Sequence, residues 1–275
     1  MTQPTIAFIG GGNMASSLIG GLLADGYPAA RIRVADPNPE QRRALQQRFA
    51  ITVTGDNLEA AHGATGVVLA VKPQVMRAVA EELGPTILDN HAVAISIAAG
   101  IREPDLRRWL GGEAAVVRTM PNTPSLVGSG ATALYANPHV TTDQRELAEA
   151  LMRAVGLVQW LDDEPLMDAV TAVSGSGPAY FFLLMELIED AGAKLGLPRE
   201  TARLLTLETA LGAARMALES DDDAQTLRRK VTSPGGTTER AINTLEEGDI
   251  RALMDRAIQA AAQRARELGD QLGAQ

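Results

Sequence analysis

Two glycine-rich segments carry the residue types that hold anions, and each opens a helical pattern. The first is Gly10-x-Gly12-x-x-Ala15, which follows the apolar run Thr5–Ile9. It fits the dinucleotide fingerprint in its Ala-ended form. Gly10 permits a tight turn, Gly12 leaves space for a pyrophosphate, and small Ala15 lets the helix pack close to the strand. The N–H groups of Asn13 and Met14 then lie at a helix N-terminus, where free donors and the helix dipole favour phosphate. Such turns also occur without a ligand, so the context matters. Arg31–Ala35 reads as a second strand ending at Asp36, 21 residues past Ala15, where the fold places the acid that meets the adenosine ribose. A solvated turn Asp within Asp36-Pro37-Asn38-Pro39 is the plainer alternative.

The second segment is Val231-Thr232-Ser233-Pro234-Gly235-Gly236-Thr237-Thr238-Glu239. A Gly-rich turn with hydroxyls on both sides, leading into a helix, suits a phosphate or carboxylate. A decorated interhelical turn is the alternative. Three shorter segments end strands, where an open α/β sheet binds ligands. Ala70-Val71-Lys72-Pro73 would set a strand end against a nicotinamide ribose. Ser96-Ile97-Ala98-Ala99-Gly100 offers small residues, with Ala98 among them, against which a flat ring can lie. Met120-Pro121-Asn122-Thr123-Pro124 uses two prolines to fix a loop that presents Asn122. Finally, Ser174-Gly175-Ser176-Gly177-Pro178-Ala179-Tyr180 precedes an apolar helix. Capping accounts for Ser176 and Pro178 but not for two glycines and a second serine.

The remaining inventory excludes several chemistries. The chain of 275 residues has no cysteine, which removes thiol catalysis, disulfides and cysteine-ligated metal. His62, His91 and His139 fall in no metal-binding spacing, so no metal is expected. A net charge of −9 argues against a nucleic-acid partner. No obvious acid for carbonyl reduction stands out, which hints at a substrate that needs little acid help. The apolar run Ala179–Met185 stops at Glu186, too short to span a bilayer, so no membrane partner is expected. The strand pattern begins at residue 5; no leader and a cytoplasmic location are the expectation.

These residues need a scaffold, and the pattern supplies an α/β one first. Helical patterns at 18–24, 40–49, 74–83, 103–110 and 142–154 alternate with strand patterns at 52–53, 66–71, 92–97, 114–118, 131–135 and 155–161. Continuous apolar strands between helices predict a mostly parallel sheet covered on both faces, a Rossmann-type domain over 1–163. After Asp162-Asp163-Glu164-Pro165 no strand is evident. Helices are expected at 166–173, 178–195, 198–219, 224–230, 237–247 and 249–272, an all-α domain over 164–275. The helix after Pro178 is apolar on more than one face, which one helical half covers most easily with a partner subunit.

Taken together, Gly10-Gly11-Gly12-Asn13-Met14-Ala15, Val71-Lys72-Pro73, Met120–Pro124, Ser174–Tyr180 and Thr232–Thr238 closely resemble pyrroline-5-carboxylate reductase, over about residues 5–268. The resemblance implies reduction of the ring C=N of 1-pyrroline-5-carboxylate to L-proline with hydride from NADPH or NADH. It implies an N-terminal Rossmann domain and a C-terminal helical dimerisation domain. It also implies homodimers with intertwined helical halves, often joined as a ring of five dimers, and an active site shared between subunits. By the same resemblance Thr238 is the catalytic hydroxyl near the ring nitrogen. Ser233, Gly235, Gly236, Thr237 and Ser176 belong to the substrate site. Gly10, Gly12, Asn13, Met14, Asp36, Asn57, Ala70, Lys72, Pro73, Ala98 and Asn122 belong to the cofactor site. Two departures stand out. Lys230 replaces an Asn found in one branch of the family. Asp36 would repel a 2′-phosphate that Arg42 or Arg43 would have to offset, so both NADP(H) and NAD(H) are expected as cofactors. Two rivals remain: another imine or β-hydroxyacid oxidoreductase, although Lys194 lacks that family's Asn four residues on, and a non-catalytic dinucleotide sensor, which leaves Ser233–Thr238 without a task.

Overall fold

The computed structural model describes residues 3–274. Met1, Thr2 and Gln275 lie outside them. The chain begins with alternating strands and helices: β1 (Ile6–Ile9), α1 (Asn13–Ala24), β2 (Ile32–Ala35), α2 (Pro39–Phe49), β3 (Thr52–Thr54), α3 (Asn57–Ala61), β4 (Gly66–Leu69), α4 (Pro73–Asp89), β5 (Val93–Ser96), α5 (Glu103–Trp109) and β6 (Ala115–Met120). After a 3₁₀ turn at Thr123–Val127 come β7 (Gly130–Ala136), α6 (Thr142–Arg153) and β8 (Gly156–Trp160). The helical part comprises α7 (Leu166–Val170), a π turn at Thr171–Gly175, α8 (Gly177–Lys194), α9 (Arg199–Glu219), α10 (Ala224–Lys230), α11 (Thr237–Glu247) and α12 (Ile250–Gly273).

All eight strands form one sheet in the order β3-β2-β1-β4-β5-β6-β7-β8. Every pair is parallel except β6–β7. Side chains alternate between the faces. In β1, Ala7 and Ile9 join one core while Ile6 and Phe8 join the other. In β4, Val67 and Leu69 oppose Val68 in the same way. This is the mostly parallel, doubly covered Rossmann-type sheet expected from continuous apolar strands. The strand order reverses between β1 and β4, which opens a crevice at their carboxyl ends.

Local departures from the expected elements have physical causes. The helix expected at 74–83 runs on to Asp89 through Pro85, with Gly84 close against the Leu110 carbonyl, where a Cβ would come within 2.9 Å. The short α3 has no apolar periodicity; Asp56 caps it by accepting from the Leu58 and Glu59 N–H groups at 2.8 and 3.1 Å. The helical run Leu166–Lys194 is continuous through the π turn. Contrary to the short span expected from the apolar run Ala179–Met185, it is long and apolar enough to cross a membrane by length and composition, although it carries Glu186, Glu189 and Asp190.

Strands cease after Trp160, but the compact units divide elsewhere than at 163. One unit is 1–176 with 261–275, and the other is 177–260. In the first, Leu272 of α12 enters the core that holds Ala98, Ile101 and Leu106. Arg102 pairs with Asp270 at 2.7 Å, and Arg108 donates to the Gly273 carbonyl at 3.1 Å. In the second, α8 packs on α9 but leaves Phe181, Phe182, Leu205 and Leu218 exposed.

Candidate active site

In the first unit, β1 ends at Gly10 with φ +97°, a conformation side chains rarely adopt. A Cβ there would lie 2.6 Å from the Ala70 carbonyl oxygen, so β1 and the end of β4 approach closely only because residue 10 is glycine. Gly11 is glycine for a different reason: a Cβ would strike the Leu45 side chain at 2.5 Å. Gly12 is the N-cap of α1, with no side-chain cap, and a Cβ there would meet nothing within 4 Å. Open space therefore lies before the N–H groups of Asn13 and Met14, the place where a helix start holds phosphate. These residues fit a dinucleotide pyrophosphate.

The adenosine side is less as expected. Asp36, at the end of β2, accepts from the Gly11 N–H at 2.9 Å and from the Asn38 N–H at 2.8 Å. Its carboxylate thus braces the glycine loop. Arg42 donates to the carbonyls of Asp36 and Pro37 at 2.6 and 3.0 Å, so its guanidinium sits at this turn. Arg43 bonds instead to the Pro39 carbonyl at 3.3 Å. Asn57 donates to Glu82 at 2.9 Å, which occupies part of its amide. Ala70 follows β4, exposed Lys72 caps α4, and Pro73 is its first residue. Ala98 is buried after β5, its N–H on the Ser96 hydroxyl at 3.3 Å.

Asn122, expected as a cofactor contact, also has partners within the protein. It is 9% exposed. Its Oδ1 accepts from the Ala131 N–H at 2.9 Å, and its Nδ2 donates to the Ser174 carbonyl at 3.1 Å. These two bonds occupy part of the amide and link the loop to β7 and to the π turn. Nearby, buried Arg118 of β6 pairs with Glu164, and Glu164 accepts from the Glu103 N–H at 3.2 Å. Burial first, and then the carboxylates of Glu103, Glu164 and Asp163, push the Tyr135 phenol up and keep it neutral. Ser176 is half-buried at the end of the π turn.

The second unit holds the other glycine-rich helix start, at α11. Gly235 has φ +71°, and Gly236 caps α11 without a side-chain cap. The first N–H groups of α11, at Thr237 and Thr238, have no partner within the helix. Both residues and Ser233 are exposed. Two features were not read from the sequence. Glu239 accepts from the Gly235 N–H at 2.8 Å, so that donor is taken by the protein itself. Lys230, whose task the sequence left open, pairs with Asp222. The signal for the first was a Glu three residues past the cap Gly236, the spacing of a capping box.

Among known proteins, residues 164–268 match the model for pyrroline-5-carboxylate reductase dimerisation, and residues 5–100 match that for NADP oxidoreductase, coenzyme F420-dependent. The pyrroline-5-carboxylate reductase of Pseudomonas aeruginosa is 56% identical over 273 residues, covering 99% of this chain and 100% of that protein. The chain belongs to the pyrroline-5-carboxylate reductase family. The solved reductase of Coxiella burnetii is 48% identical with a TM-score of 0.94, covering 97% of this chain and 99% of that one. The Plasmodium falciparum pyrroline carboxylate reductase, solved with NADP bound, is 30% identical with a TM-score of 0.86, covering 98% and 99%. As a reductase of this family the chain is an NAD(P)H-dependent oxidoreductase and an oligomer acting on a small-molecule substrate. The β-hydroxyacid and sensor alternatives are not favoured.

Proposed function

We propose that this reductase makes L-proline in the final step of proline biosynthesis, using the residues assigned below. The observation that carries the reading is the presence of two glycine-capped helix starts with open donors, at α1 for a pyrophosphate and at α11 for a carboxylate. When bound, the reduced nicotinamide supplies hydride to the carbon of the ring C=N, whose nitrogen becomes the secondary amine of proline. Gly10 and Gly12 keep the loop narrow, and the Asn13 and Met14 N–H groups hold the pyrophosphate. Asp36 and Asn57 serve the adenosine side, Ala70, Lys72 and Pro73 the nicotinamide ribose, and Ala98 the ring. Asn122 acts through its loop.

The Ser233 hydroxyl and the N–H groups of Thr237 and Thr238 hold the substrate carboxylate, with the Gly236 N–H at the same helix start shared with the Ser233 carbonyl at 3.0 Å. Gly235 shapes the turn, its N–H being held by Glu239. The Thr238 hydroxyl hydrogen-bonds the ring nitrogen, and Ser176 lines the substrate. A protonated imine accepts hydride readily, so orientation matters more than a strong acid. No metal takes part. The functional division is put at 163/164, a reading supported by a dimerisation match that starts at residue 164. The protein is a cytoplasmic homodimer with a subunit-shared site, assembled further as five dimers. Purified protein should oxidise NADPH and NADH on addition of 1-pyrroline-5-carboxylate, with the rate unchanged in a chelator. Absence of oxidation with both cofactors would overturn the activity, and loss of the rate in chelator would overturn the metal-free mechanism.

A further inference from the structure

We infer that Asn122 is a positioning residue: through the Ser174 carbonyl it sets where the π turn presents Ser176 to the substrate. This rests on the reading of Ser176 as a substrate contact. In an uninterrupted α-helix the Ser174 carbonyl would accept from the N–H four residues on. That residue is Pro178, which has no N–H. Asn122 Nδ2 supplies a donor in its place, at 3.1 Å.

Three further hydrogen bonds of the turn run within its own segment. The Ser176 N–H donates to the Thr171 carbonyl at 2.8 Å. The Thr171 hydroxyl donates to the Met167 carbonyl at 2.8 Å, and the Ser174 hydroxyl to the Val170 carbonyl at 3.2 Å. None of these ties the turn to the sheet. Met120, the last residue of β6, and Asn122, in the loop after it, reach across to the turn. Met120 packs on Gly175, where a Cβ would come within 2.5 Å of its Cε. Asn122 adds the hydrogen bond, and its other end is fixed on β7 by the Ala131 N–H. The loop's two prolines leave Asn122 little freedom to follow the turn if it shifts.

Asn122→Asp separates the two bonds: it keeps an acceptor for Ala131 and loses the donor to Ser174. The KM for 1-pyrroline-5-carboxylate should rise about tenfold while the NADPH Kd stays within about twofold of wild type, the loss expected for one hydrogen bond to a half-buried carbonyl. The ratio of variant to wild-type KM should fall as the pH is lowered, because a protonated carboxyl can donate again. A support acting only through β7 would show neither effect. An unchanged KM, or an equal loss of NADPH affinity, overturns the inference. Ser176→Ala serves as the reference. If it leaves KM unchanged, Ser176 is not a substrate contact and both readings fall; if it raises KM and Asn122→Asp does not, only the positioning role falls. Should Asn122→Asp not fold, Asn122→Ala removes both bonds without adding charge and is read by the same KM and Kd.

Discussion

Gly10 and Gly12 stand two residues apart and are glycine for different reasons. Gly10 has φ +97° and no room for a Cβ, so Gly10→Ala should destabilise the fold by about 1–3 kcal/mol or more in a denaturant melt. Gly12 has φ −65° and empty space before it, so Gly12→Ala should change stability by no more than about 1 kcal/mol while weakening NAD(P)H binding at least about tenfold by titration. Equal effects on binding and stability would show that the space before Gly12 holds no phosphate. Thr238→Ala should lower kcat by about ten- to a thousandfold at unchanged cofactor affinity, as expected for a positioned donor. Steady-state rates at saturating substrate check this, and an unaltered kcat removes Thr238 from the chemistry. At Asp36, repulsion of a 2′-phosphate about 4 Å away amounts to roughly 1–4 kcal/mol. The Arg42 guanidinium is held at the same turn and should offset part of it. Both cofactors should work, and Asp36→Ser should move the kcat/KM ratio towards NADPH, mainly through KM. A ratio that stays put would mean the carboxylate only braces the Gly11 and Asn38 N–H groups.

At the scale of elements, the glycine loop and the parallel strands were legible because their signals are local. A glycine at a fixed offset from a strand, or an unbroken apolar run, needs no distant residue to interpret. Asn122 was legible as a candidate but not in its role, since its partners Ala131 and Ser174 come from other elements. In the sequence the π turn looks like a break between helices, because glycines at 175 and 177 and a proline at 178 imitate a cap. Glu239 was missed although its spacing is a known capping signal. The entry to β1 gives a pH-dependent test. The Tyr27 hydroxyl donates to the Pro4 carbonyl. Burial pushes the Tyr27 phenol from 10.0 up to about 12, with Arg31 opposing it. A raised folded-state value favours the protonated form, so its stabilisation is intact below about pH 10 and is lost as the pH rises through about 12. Tyr27→Phe should therefore lose less stability than wild type between those values in chemical denaturation; equal losses would refute the linkage.

For the whole molecule, α8 and α9 leave more apolar surface in water than a lone helical unit would retain. Phe181 and Phe182 are more than 60% exposed, and Leu218 is 82% exposed. An apolar cleft of about 370 Å³ between the two helices includes Phe181, Ile188 and Leu205. Patches of this kind mark interfaces. The protein should sediment as a dimer or larger, and Leu205→Glu should shift it towards monomer with loss of activity. A fully active wild-type monomer at assay concentration would refute both the interface and the shared site. The path of α12 has one more consequence. Residues 177–260 interrupt the first unit, and Leu272 completes a core whose other members end at Val116. During synthesis the nucleotide-binding half therefore emerges early but lacks one wall until the segment after 260 is made. Its final consolidation depends on contacts closed over more than a hundred and fifty residues, which are slow to form.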